Sequence, residues 1–197
     1  MEADEAKKDV WLREEILMKV YVHLANGFEE IEAITVVDVL RRAEIDVETV
    51  SITENLWVTG AHGIGVKADQ LINDIDYDSG KMIVLPGGLP GTTNLAENSK
   101  LIDQIKSYNN QNKWVGAICA APMILGEKGL LEGKTAVIYP GMESHLKGAK
   151  VGRKNVEVDG NIVTSKGPGT AMEFAFKLVE LLKGKEAIKQ LKEEMLL

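Results

Sequence analysis

Hydrophobic and polar positions along the chain predict strands and helices taking turns. The run KVYVHLA (19–25) is β-rich and ends at the turn signal Asn26-Gly27. Ile31, Ile34, Val37 and Val39–Leu40 then recur at helical spacing, with acids in the first turn and Arg41–Arg42 in the last. VETVSI (47–52) predicts a second strand, and two β-like pieces around the glycines between Leu56 and Ala68 predict a hairpin-like insertion. MIVLP (82–86) and WVGAI (114–118) are apolar without alternation, which suits strands covered on both faces. Ser99 is expected to cap a helix reaching about Asn109, and a short helical segment follows from Cys119. TAVIYP (135–140) predicts a further strand, and Asp159-Gly160 inside VEVDGNIVTS (156–165) predicts a hairpin. The stretch from Gly167 to Gly184 predicts a long amphipathic helix with Met172, Phe176 and Val179 on one face, alongside Leu182. A charged surface helix, Lys185 to Met195, follows it.

This order implies an α/β domain with a mostly parallel central sheet covered on both faces. Sites in such sheets form at the carboxyl ends of the strands, which selects three loops: Asn26–Glu32, Pro86–Gly91 and Cys119–Pro122. Residues 18–197 read as a single domain. The charged stretch 1–17 reads as an N-terminal extension, either a short helix docking through Val10, Trp11, Ile16 and Leu17 or a segment ahead of a start at Met18.

Composition narrows the function classes. A formal net charge of -7 argues against non-specific affinity for nucleic acid or for an anionic membrane. No apolar run is long enough to cross a bilayer, and MEADEAKKDV lacks the apolar centre of a secretory signal. The 197 residues contain 1 cysteine, so no intramolecular disulfide forms and multi-cysteine metal sites are excluded. A cytoplasmic location is expected, with neither cofactor nor metal.

That cysteine, Cys119, stands between a buried strand and Ala120-Ala121-Pro122, which suits a helix's first turn. The turn sets the sulfur beside unpaired helix amides, an arrangement expected to favour thiolate. The same position also suits an inert, buried cysteine. Glu29, Glu30 and Glu32 open the first helix, where acids are ordinary. Helical spacing puts Glu29 and Glu32 on one side and Glu30 on another. An acid facing the crevice of Cys119 would be kept neutral by burial and would shuttle a proton. Pro86-Gly87-Gly88 is either turn chemistry or a source of amides for an oxyanion, and Gly167-Pro168-Gly169-Thr170 either caps a pocket or makes a turn. His23, His62 and His145 are scattered without metal-ligand spacing.

Taken in order, GFEEIEAITVVDVLRRA, VLPGGLPGTTNL, AICAAP and VDGNIVTSKGPGTAMEFAFKLVE resemble the DJ-1/ThiJ branch of the DJ-1/PfpI superfamily. The resemblance covers nearly all of Lys19 to Glu186. It implies a flavodoxin-like three-layer sandwich, usually a homodimer, with Cys119 as the oxidation-prone nucleophile and Glu32 as the acid on its sulfur. It implies backbone amides of Gly88 and Ala120 as an oxyanion pocket, with Gly87 allowing the turn. Glu29, Arg42, Ser165 and Pro168 match positions lining the crevice, some near the dimer interface. Many members carry a histidine where this chain has Tyr139, a poorer base at neutral pH. The protease-like branch has histidine directly after the cysteine; Ala120 stands there, which argues against a protease. His62 stands where the human member has an arginine.

The leading expectation is a cofactor-free glyoxalase- or deglycase-type enzyme of low turnover. Its partners would be small reactive aldehydes or glycated thiols and amines. The rival expectation is an oxidative-stress sensor or redox-regulated chaperone working through Cys119 oxidation. A flavodoxin-type phosphate binder is disfavoured, because the first strand-to-helix loop is acidic and no P-loop motif is present.

Overall fold

The structure is a computed structural model, described here for residues 18–197. The expectations for 1–17, including the helix through Val10, Trp11, Ile16 and Leu17, lie outside the described residues. Strands β1 (Lys19–Leu24), β2 (Val47–Ser51), β5 (Gln70–Leu71), β6 (Gly80–Leu85), β7 (Trp114–Ile118), β10 (Val156–Asp159) and β11 (Ile162–Ser165) form one sheet. Its order is β10-β11-β7-β6-β1-β2-β5, and every pairing is parallel except the β10–β11 hairpin.

Strand alternation divides the core into two layers. Val20, Val22 and Leu24 of β1, with Met82 and Val84 of β6, face helices α1 (Glu30–Arg42) and α5 (Ala171–Lys183). Tyr21 and Ala25, with Ile83 and Leu85, face α3 (Ser99–Asn110) and α4 (Pro122–Glu127) on the other side. The result is the expected three-layer sandwich with a mostly parallel central sheet. Helix α2 (Gly91–Glu97) links β6 to α3, and α6 (Lys185–Glu194) closes the chain. Strands β3 (Trp57–Thr59) and β4 (Gly65–Lys67) form the expected hairpin outside the sheet.

Several expectations are corrected. TAVIYP is not a strand of the central sheet: only Thr135–Ala136 (β8) pairs, with β9 (Lys150–Val151). Beyond it, Val137 N donates to Thr164 Oγ1 and Tyr139 N to Cys119 O, so side-chain and turn partners replace a ladder. Asn98, not Ser99, caps α3, its Oδ1 accepting from Leu101 N at 2.9 Å. Met172 is exposed, because the stripe Ala171, Phe174, Ala175, Leu178 packs inward instead. Ile31 and Ile34 are likewise on the outer side of α1, while Ala33, Val36, Val37 and Leu40 fill the core. The last helix is not wholly a surface element, since its Leu191 is buried.

The parallel arrangement brings the carboxyl ends of β1, β6, β7 and β11 to one edge. Chain direction across the sheet reverses between β1, which continues to β2, and β6, which continues to β7. A crevice opens at such a reversal.

Candidate active site

At the end of β7 the chain turns sharply through Cys119 (φ 61°), a left-handed backbone that costs a non-glycine residue on the order of 1–3 kcal/mol. Two main-chain bonds hold it there. Cys119 N donates to Ser165 O at the end of β11 (3.0 Å), and Cys119 O accepts from Tyr139 N (2.9 Å). Pro122 then starts α4 in the position where its missing N–H costs nothing. Strand, strained turn and helix together point the thiol into the crevice, the geometry of a nucleophile elbow.

Glu32 approaches from the first turn of α1 and is fully buried. Its Oε2 accepts from Gly87 N at 2.8 Å. Its Oε1 has no partner of conventional geometry, and the Cys119 thiol is the remaining polar group interacting with the carboxyl. Glu29 sets this position: it caps α1, Oε2 accepting from Glu32 N at 2.7 Å, while its own N donates to Gly87 O at 2.9 Å. Gly87 is therefore bonded on both sides to the acidic turn. A Cβ at Gly87 would lie 2.6 Å from Cys119 Cβ and 2.8 Å from Glu32 Oε2, so only glycine lets thiol and carboxyl approach.

Burial raises the Glu32 pKa to about 7, against the opposing pull of the Gly87 amide and of the Cys119 thiol. Burial, and then the ionised form of Glu32, push the Cys119 thiol up to about 12. The amides of Gly88 and Ala120 act on the sulfur in the opposite sense. The expectation that helix amides favour thiolate is thus corrected: α4 is only 6 residues long, and burial together with the Glu32 carboxylate outweighs the amides. One negative charge, not two, is tolerated by the pair, and the two groups titrate as a unit.

Between Gly88 and Tyr139 the thiol, 9% exposed, opens on a cleft of ≈ 380 Å³. Leu89, Pro140, Gly141 and Met142 complete its walls, and none of them was singled out from the sequence. The signal was their place in the loops after β6 and after TAVIYP. Tyr139 projects its ring beside Gly167, where a Cβ would stand 3.3 Å from the ring. Pro168 opens the turn after that glycine. Ser165 contacts Cys119 through its carbonyl, while its hydroxyl turns away to Asn155 O and Thr170 Oγ1. Arg42 is not brought to the cleft within one chain. It ends α1, ten residues or roughly 15 Å of helix from Glu32, pairs with Asp38, and lines a separate crevice with Glu44, Lys183 and Glu194.

Glu30 faces the β3–β4 hairpin, accepting from His62 N and pairing with His62 Nδ1, both at 2.7 Å. Ligand-type atoms of Glu29, Glu30 and His62 lie within 4.8 Å of one another, but the histidine is already engaged by Glu30. His23 is packed in the core against Tyr77, and His145 pairs with Glu127.

Fold and site define a class: an α/β sandwich carrying a cysteine elbow paired with a buried acid. The DJ-1/PfpI family model matches residues 18–181, and the chain belongs to that family. It is 38% identical over 177 residues to Protein dj-1beta of Drosophila melanogaster, covering 89% of this chain and 95% of that protein. It is 40% identical over 169 residues to Protein DJ-1 homolog B of Arabidopsis thaliana, covering 85% of this chain. The chain spans less than half the length of the two Arabidopsis relatives, 39% and 46%. The solved structure of oxidized Toxoplasma gondii DJ-1 superposes with a TM-score of 0.87 at 38% identity, covering 91% of this chain and 98% of that one. The sandwich is accordingly flavodoxin-like. No helix among the described residues is long and apolar enough to cross a membrane.

Proposed function

We propose that the protein is a cofactor-free, cysteine-dependent enzyme acting on α-oxoaldehydes such as methylglyoxal, or on their adducts with thiols and amines. The observation that carries this reading is a buried carboxyl, its pKa raised to about 7, on the sulfur of an elbow cysteine that two backbone amides also face. The reactive form is the minor tautomer of the pair, with the proton on Glu32 and the charge on sulfur; the amides of Gly88 and Ala120 favour it, against a carboxyl that is the stronger acid. Sγ adds to the aldehyde carbon, and the carbonyl electron pair becomes an alkoxide that takes the Glu32 proton. The Glu32 carboxylate next removes the hydrogen of that carbon as a proton and returns it to the neighbouring carbonyl carbon, while the hydroxyl proton passes from the first oxygen to the second, leaving an acyl thioester with a hydroxyl beside it. Water cleaves the thioester, releasing an α-hydroxy acid and restoring the thiol, with no external oxidant or reductant.

Lactate formation from methylglyoxal by wild type, Cys119→Ser and Glu32→Gln tests the reading. Both variants are expected to fall to the uncatalysed rate; a Cys119→Ser enzyme as fast as wild type sinks the mechanism. With Tyr139 instead of an imidazole in the cleft wall, turnover is expected to be low.

A second reading has its own support. A sulfinate on Cys119 would meet the same neutral carboxyl and amides, and the similar Toxoplasma protein was solved oxidized. Mass spectrometry after mild peroxide should then show two added oxygens on Cys119. Oxidation spread over methionines alone would count against a sensor role. The outward Ile31 and Ile34 of α1 support a homodimer, and the single cysteine supports a reducing, cytoplasmic setting.

A further inference from the structure

The cleft beside Cys119 is larger and less polar than a three-carbon aldehyde requires. A molecule of that size displaces on the order of three water volumes, roughly 90 Å³, and the cleft holds ≈ 380 Å³. No charged side chain among the described residues lines it. Its walls are Leu89, Tyr139, Pro140 and Met142, with the backbone of Gly88 and Gly141 between them. Leu89 and Tyr139 are 57% and 48% exposed, so each offers apolar surface left open among the described residues. Tyr139 is not a loose side chain. Its amide is tied to the carbonyl of Cys119 at 2.9 Å, and its ring stands close over Gly167. An aromatic face is thereby fixed beside the nucleophile.

The charges that do surround the sulfur are of one sign. Glu32 touches it, and Glu29 and Glu30 stand behind the same turn. His62, which reaches these acids, is engaged by Glu30, and Lys166 lines a neighbouring crevice with Val137 and Ile138. A phosphorylated or carboxylated aldehyde would therefore meet acids and no cation among the described residues that line the cleft.

We propose that the α-oxoaldehyde accepted by this site carries an aryl substituent, with phenylglyoxal as the representative, and that Leu89 and Tyr139 determine that preference. The inference rests on the oxoaldehyde reading above and specifies its substrate. The aldehyde carbon lies at Sγ, and the ring lies between Leu89 and Tyr139 over Met142. The chemistry is unchanged, and the product of phenylglyoxal is mandelate.

The experiment compares kcat/KM for phenylglyoxal and methylglyoxal in wild type, Leu89→Ala and Tyr139→Ala, with Cys119→Ser as the blank. Each variant's fold is checked by thermal unfolding. One apolar group's difference in a fitted pocket is worth about tenfold or more. The wild-type preference for phenylglyoxal should accordingly fall about tenfold in each variant, mostly through KM for the aryl substrate. Comparing ratios between variants cancels the intrinsic reactivity of the two aldehydes. A ratio unmoved by both substitutions overturns the proposal. If neither aldehyde is turned over above the blank, the oxoaldehyde reading fails by itself. The cleft is then judged by protection of Cys119 from iodoacetamide. Acetophenone should protect at about tenfold lower concentration than acetone in wild type, but not in Leu89→Ala. Equal protection by the two ketones overturns the aryl preference.

Discussion

A buried acid kept for chemistry should cost the fold stability, and the cost is measurable. Burial raises the Glu32 pKa to about 7 in the folded protein from its ordinary value of 4.5. Folding therefore binds a proton at Glu32 between these values, and stability falls as pH rises through that window. At 1.36 kcal/mol per unit, the full difference is roughly 3 kcal/mol, developed by pH ~8 and absent at pH ~4. The clean perturbation is Glu32→Gln in a Cys119→Ser background, which removes the competing thiol. Glutamine copies the neutral acid in shape, still accepts from Gly87 N, and cannot ionise. Urea unfolding of the two proteins should give nearly equal stabilities at pH ~4, with the glutamine variant ahead by roughly 3 kcal/mol at pH ~8. For a chain of this length that corresponds to about 6–12 °C in Tm. A difference of constant size across the pH range would refute the reasoning, because it would mean Glu32 does not titrate between its two states.

Gly87→Ala should remove both turnover and Cys119 reactivity and lower stability by about 1–3 kcal/mol, since its Cβ would stand 2.6 Å from Cys119 Cβ; denaturation and iodoacetamide labelling check this. His23 is fully buried with its pKa lowered to about 3 from 6.5, so stability is full above 6.5 and is lost as pH falls towards 3. That loss is about 2 kcal/mol by pH ~5, and His23→Gln should flatten this acid limb in urea titrations. Ile34→Lys should leave the monomer folded but shift light-scattering mass from dimer to monomer. Arg42→Ala, a full helix length from Glu32 within the chain, should leave the pH dependence of Cys119 alkylation unaltered in the monomeric Ile34→Lys protein.

The central strands were legible because burial on both faces leaves an unbroken apolar signature, as in MIVLP and WVGAI. The same signature misled at TAVIYP. Val137 and Ile138 are buried there, but Thr164 Oγ1 and the carbonyl of Cys119 take up nearby amides in place of a strand neighbour. Period alone does not say which side of a helix faces inward when two apolar stripes coexist. Helix α1 carries one of each kind, Ala33–Val36–Leu40 inside and Ile31–Ile34 outside. Cys119 was legible from its place after WVGAI. Its acid was legible only through the family resemblance, which names Glu32; as helix-start residues Glu29, Glu30 and Glu32 are alike, and spacing sets only Glu30 apart. Three-dimensional contacts separate them: Glu29 caps, Glu30 holds the hairpin through His62, and Glu32 meets the thiol.

That division of labour bears on how the thiol is tuned. A cysteine activated by a helix terminus alone would keep its reactivity when the neighbouring acid is neutralised. Here α4 is short, and the strongest polar influence on the sulfur is a carboxyl whose own charge opposes ionisation. The acid helps only while it holds the proton, and it holds the proton only because burial has raised it to about 7. Burial in turn depends on Gly87, whose missing side chain admits the carboxyl and whose amide and carbonyl fix Glu32 and Glu29. Reactivity at Cys119 is therefore a property of the acidic turn and the glycine turn together, and it should respond to changes in either one without any change at the cysteine.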